Sequence, residues 1–77
     1  MSKITPIHYR KLKKVFDKAG WEYLGDVGDH MQFKKPGHLR RVVIPKKSDI
    51  PVFVIKSNLR TAKIDRKTYF KLLKRRS

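Results

Sequence analysis

The sequence predicts an α+β fold: a small three-stranded antiparallel sheet with helices packed on one face, in the order α-β-β-β-α-α. Apolar residues recur at helical spacing from Tyr9 to Ala19, at a period of two from Trp21 to Ile44, and at helical spacing again from Val52 onward. Gly28-Asp29 and Pro36-Gly37 cut the middle stretch into three short runs. With 77 residues the chain has room for one domain, residues 1–77, and none for a linker.

Thr5-Pro6 is a helix start signal, with Thr as N-cap and Pro at the first helical position, where a missing N–H costs nothing. Tyr9, Leu12, Val15, Phe16 and Ala19 share one face of this helix. Arg10, Lys11, Lys14 and Lys18 lie on the other, and Gly20 supplies the stop. In the first strand Trp21, Tyr23 and Val27 alternate with Glu22, Leu24 and Asp26, and Gly28-Asp29 turns the chain. In the second, Met31 and Phe33 face the core while His30, Gln32 and Lys34 face away.

Pro36-Gly37 then forms a tight turn into a third strand, Leu39 to Ile44, closed by Pro45. A hairpin centred on Pro36-Gly37 pairs Gln32 with Arg41, Met31 with Val42 and His30 with Val43. Residues 51–62 read as a helix through Val52, Ile55, Leu59 and Ala62, with Ser48 or Asp49 as cap and Pro51 in the first turn. Asp65 caps a last helix carrying Tyr69, Phe70, Leu72 and Leu73, and Lys71, Lys74, Arg75 and Arg76 close its basic end. Three strands cannot cover both of their faces, so the helices pack on the Met31/Phe33 side and leave the His30 face open.

Twenty-one Lys and Arg against 6 Asp and Glu give a formal charge of +15. Such a balance points to a polyanion or an acidic protein as partner, because self-repulsion otherwise erodes a small fold of about 4–12 kcal/mol. The absence of cysteine excludes a disulfide scaffold, a CxxC redox site and Cys-based zinc fingers. The longest apolar run, Ile50 to Ile55, falls far short of the roughly 20 residues a membrane span needs. The N-terminus shows no secretory signal, so a cytoplasmic location is expected.

The residue inventory contains no paired-carboxylate pattern, nucleophile elbow or Gly-rich phosphate loop, and no cofactor is expected. His8 and His38 read as surface residues without an obvious partner, and the scattered His and acidic residues suggest no metal site. His30 differs, because alternation points it into a polar face with Gln32, Lys34 and Arg41. An imidazole titrates near neutrality and exchanges a proton at cellular pH. Beside cations that hold phosphates, that is what phosphodiester cleavage requires.

Residues 11–20, Trp21-Glu22-Tyr23 and Gly28-Asp29-His30-Met31-Gln32-Phe33-Lys34-Lys35-Pro36-Gly37, followed by Val42-Val43-Ile44-Pro45 and Leu59-Arg60-Thr61-Ala62, carry a resemblance. In this order they resemble the HicA (YcfA-like) toxins of type II toxin–antitoxin systems, over roughly His8 to Leu73. The resemblance implies a small ribonuclease that cleaves mRNA, on a fold similar to double-stranded-RNA-binding domains. It also implies a HicB-type antitoxin as neutralising partner. The family's histidine in Gly-x-His maps onto His30. Asp29 stands where Gly-Ser-His is commoner, and an acidic side chain there either orients the imidazole or repels RNA. Lys46-Lys47-Ser48-Asp49 departs from the His- or Gly-containing loop of many relatives, so no second catalytic residue carries over. Lys34, Arg41, Lys46 and Lys47 are the candidate phosphate contacts. The competing expectation is a non-catalytic module that binds double-stranded RNA by shape and 2′-OH contacts.

Overall fold

The computed structural model of the chain describes residues 3–74. It contains α1 (Tyr9–Lys18), β1 (Glu22–Val27), β2 (His30–Lys34), β3 (Val42–Pro45), α2 (Val52–Ala62) and α3 (Arg66–Lys74). The strands form one antiparallel sheet in the order β1-β2-β3, so β2 is central. This is the predicted α+β arrangement. Arg75 and Arg76, expected to extend the basic end of α3, lie outside the described residues.

The helices cover one side of the sheet. Leu12, Val15 and Phe16 of α1, Ile55, Leu59 and Ala62 of α2, and Tyr69 of α3 meet Met31, Phe33, Val42 and Ile44 in one buried cluster. Phe16 is its hinge-pin, with ring centroids 6.0 Å from Phe33 and 6.1 Å, edge-on, from Trp21. The alternation along β2 is strict: His30 and Lys34 are exposed, Gln32 is half-buried, and Met31 and Phe33 are buried.

α1 begins later than Thr5-Pro6 suggests. Ile7 is held in an extended bridge to Ile50, whose N–H donates to the Ile7 carbonyl at 2.9 Å. The cap is His8, whose Nδ1 accepts from the Arg10 N–H at 3.1 Å. Tertiary pairing thus overrides a sound local start signal. The end of α1 does follow the sequence: Gly20 takes φ +89°, Trp21 N–H bonds the Phe16 carbonyl and Gly20 N–H the Asp17 carbonyl. That paired closure needs a left-handed residue, which glycine adopts without strain.

Two register features also depart from expectation. In β1 the pairing runs Tyr23↔Phe33 and then Gly25↔Gln32, so Leu24 bulges out of the ladder. The bulge inverts the alternation beyond it. Asp26 therefore pairs with Met31 on the helix side, and Val27 pairs with His30 on the open side, where it is 62% exposed. In the second hairpin Met31 pairs with Ile44 and Gln32 with Val43, a slip of two from the register centred on Pro36-Gly37. A slip of two preserves every face assignment. The connection is a loop of residues 35–41 and not a tight hairpin, and β3 starts only at Val42.

α2 forms where its Val52, Ile55, Leu59 and Ala62 stripe predicts, but neither Ser48 nor Asp49 caps it. Pro51 occupies the N-cap position, with no side-chain cap bond, and its carbonyl starts the helical ladder to Val54 and Ile55. α3 is capped as expected: the Asp65 carboxylate accepts from the Thr68 N–H at 2.7 Å. Hydrogen bonding by the Thr68 side chain, then by its backbone N–H, with Lys67 a lesser influence, lowers the Asp65 pKa from its ordinary value. Among the described residues no helix is long and apolar enough to cross a membrane.

Candidate active site

His30 opens the central strand, immediately after the Gly28-Asp29 turn, and its side chain is exposed on the face the helices leave bare. Gly28 sits at φ +58°, which lets the chain reverse between Val27 and its cross-strand partner His30. Pro45 of β3 is the partner on the other side. His30 is therefore flanked by Val27 and Pro45, two side chains that cannot compete for its ring nitrogens.

Along the same face, Gln32 accepts a hydrogen bond from the Arg41 guanidinium (Nη1···Oε1 3.1 Å). Arg41 lies outside β3 and is exposed, so the link fixes it over the sheet with donors to spare. Lys34 is exposed at the far end of β2, opposite Glu22. Three residues of strand lie between it and His30, and the four steps span about 13 Å. The structure thus brings Arg41 and Lys34 onto the His30 face. Val43, paired with Gln32 and 40% exposed, adds an apolar patch between them.

Lys46 and Lys47 sit beyond Pro45 and play different parts. The Lys46 backbone N–H donates to the Asp29 carbonyl at 2.7 Å, while its ammonium reaches Asp26 at 2.8 Å. One residue thereby grips the His30-bearing turn at both ends. The Tyr23 hydroxyl donates to the other Asp26 oxygen. The Lys46 and Tyr23 hydrogen bonds together hold the Asp26 carboxyl below its ordinary pKa. The same contact raises Lys46, and Asp26's hydrogen bond raises the Tyr23 phenol. Lys47 is exposed, and its carbonyl accepts from the Tyr9 N–H at 3.1 Å, tying this segment to the start of α1.

The Asp29 side chain is exposed in the turn next to His30, and its carbonyl is the group that receives Lys46. His8 and His38 have partners that sequence reasoning did not supply. His8 caps α1 and stacks on Tyr9 with centroids 4.5 Å apart. His38 packs on Trp21 at 4.9 Å. Among the described residues no three His, Asp or Glu side chains converge. Sequence reasoning also missed the Tyr23–Asp26–Lys46 chain. Its only signal was Gly25, the glycine that follows the bulged Leu24.

With this arrangement in place, a family model describing the HicA toxin of bacterial toxin–antitoxin systems matches residues 9–64. The chain belongs to the HicA toxin family. The matched span runs from the first residue of α1 to the residue after the left-handed close of α2, and so contains the whole sheet and His30. Neither a curated protein nor a solved structure gives a significant match. Membership makes the chain a toxin whose natural counterpart is an antitoxin.

Proposed function

We propose that this HicA-family toxin is a metal-independent endoribonuclease that cleaves mRNA, with His30 as its catalytic group. The observation that carries the reading is the position of His30: an imidazole exposed on the central strand, on the face the helices leave bare, with Arg41 bonded to Gln32 two residues along the same strand. The substrate's own 2′-OH is the nucleophile. Its oxygen attacks the neighbouring phosphorus, the bond to the 5′-oxygen breaks, and a 2′,3′-cyclic phosphate and a 5′-hydroxyl remain. His30 takes the 2′-OH proton as general base or gives one to the leaving 5′-oxygen as general acid. Placing such a group is worth about 10²–10⁴-fold.

Lys34, Arg41 and Lys47 supply charge to the phosphates, Arg41 with a fork suited to two oxygens at once. The Lys46 ammonium is held by the Asp26 carboxylate at the helix-side edge of the sheet, so it ranks last as a phosphate contact. The Asp29 carboxylate, exposed in the turn next to His30, is assigned the role of orienting the imidazole once substrate is bound. A HicB-type antitoxin neutralises the toxin by covering this face, where Val27 and Val43 offer apolar contact beside the cations.

The test uses purified protein in EDTA with RNA and with DNA of the same sequence. RNA is cut to a cyclic phosphate end, DNA is bound and survives, and His30→Ala lowers cleavage by about 10²–10⁴-fold. Cleavage of DNA, or RNA cleavage unchanged in His30→Ala, overturns the proposal. Tight binding of duplex RNA with no cleavage replaces it with the binding-module reading.

A further inference from the structure

A second cationic surface lies away from His30, on the helix side of the molecule. A groove of about 400 Å³ opens between the 35–41 loop and the end of α2, lined by His38, Arg40, Arg60, Thr61 and Lys63. Among the described residues no carboxylate lines it. It continues in both directions. Arg60 is shared with a hollow that adds Lys56 and Arg66, and His38 and Lys63 are shared with one that adds Lys35. Among the described residues Asp65 is the one acidic residue lining any of the three, and its carboxylate is occupied in capping α3.

Cations near the end of α2 suit the helix dipole, and that alone accounts for Arg60. It does not account for Arg40, which comes from the facing loop. Nor does it account for Lys63. This residue holds φ 57° and ψ 37°, the left-handed position after a helix where glycine costs least. A lysine there is strained, and strain kept where a cheaper residue fits marks a position that serves something besides the fold. Lys63 lines two of the three hollows.

We infer that this track binds the phosphate backbone of single-stranded RNA, as a continuation of the path that crosses His30. The inference rests on the ribonuclease reading and extends it. Arg40 and Arg41 are neighbours in one loop, yet Arg40 lines the groove on the α2 side while Arg41 reaches Gln32 on the open face. The loop is therefore the rim over which one strand passes from sheet to helix. Leu39, fully exposed at its tip, meets a sugar or base there. Arg40, Arg60 and Lys63 face one another across a groove in which the described residues place no carboxylate. Such a cluster fits a repeating phosphate better than a protein side chain and reads no sequence. Lys35, at its margin, already donates to the Ala19 carbonyl.

The test is binding of a single-stranded RNA of about 20 nucleotides, longer than a single small domain's site, by the full chain carrying His30→Ala, across a salt series. Replacing Arg40→Gln, Arg60→Gln and Lys63→Gly together weakens binding at least tenfold and lowers the slope of log K against log salt by about two. Lys63→Gly alone weakens binding and raises Tm, because it removes a cation and a strained backbone at once; a residue with only a structural role cannot move the two in that direction. Unchanged affinity and salt slope in the triple variant overturn the inference. So does loss of affinity for a co-expressed antitoxin with RNA binding intact, which makes the track a protein-docking face. The catalytic reading fails separately: wild type that cuts no RNA, while the triple variant still loses binding, removes His30's role and leaves the track standing.

Discussion

The two faces of the sheet share a backbone and differ in almost everything else. On one, Met31, Phe33, Val42 and Ile44 are at most 3% exposed and held by all three helices. On the other, His30, Gln32, Lys34 and Val43, which alternate with them along the same strands, are exposed or half-buried. Alternation along one strand separates what keeps the chain folded from what it offers to a substrate. A domain this small has no other way to carry a site without thinning its core.

The largest effect that tests this separation is on the covered face. Phe33→Ala removes a fully buried ring that packs on Phe16 and Tyr23, and should cost about 3–5 kcal/mol. For a domain of this size that is enough to leave much of the chain unfolded. Urea denaturation followed by Trp21 fluorescence reads it. Gln32→Ala, one residue earlier, should stay within about 0.5 kcal/mol of wild type in the same assay. If the two cost the same, the faces are not energetically distinct and the separation collapses.

That contrast was legible from the sequence because it needs only a period of two. Even the wrong hairpin register left Met31, Phe33, Val42 and Ile44 together, since the slip was by two residues. The sequence also marked His30 as the outward histidine and Asp65 as the α3 cap. What it hid depends on contacts between distant segments. Pro6 reads as a helix start until Ile50, far along the chain, pairs with Ile7. Asp26 reads as a neighbour of Glu22 until the Leu24 bulge turns it to the other side. Lys46 reads as one more exposed cation until the fold brings Asp26 to its ammonium. Local pattern carries faces and caps; bulges and ion pairs across strands belong to tertiary structure.

A smaller effect lies at the covered face's outer support. Asp65 caps the helix that brings Tyr69 into the core. Asp65→Ala should lower Tm by several degrees with RNA cleavage at permissive temperature unchanged. The carboxyl's pKa is lowered in the fold, so its contribution is complete above the ordinary carboxylate value and fades as pH falls through the lowered one. The Tm gap between wild type and Asp65→Ala should therefore be constant from neutral pH down to about pH 5 and close in stronger acid. A gap that widens in acid contradicts the capping role.

The smallest effect, and the one that sharpens the comparison most, concerns the seam where the faces meet. Asp26 and Lys46 lie at the helix-side edge, yet they clamp the turn that aims His30 at the open side. Both side chains are about one-third exposed, so the pair adds little to stability. Its effect should appear in positioning. Asp26→Asn keeps the shape, removes the charge and loosens the Lys46 grip, and should lower kcat a few-fold with KM and Tm nearly unchanged. Asp26 is lowered and Lys46 is raised, so the pair is complete above the ordinary carboxylate value and below the ordinary lysine value of 10.5. The ratio of wild-type to Asp26→Asn activity should thus be flat across neutral pH and fall toward one only in acid, as the wild-type carboxylate takes up its proton. A loss as deep as that of His30→Ala would put Asp26 in the chemistry itself. No loss at all would mean the His30 turn holds its own shape, and the two faces would then be independent even where they touch.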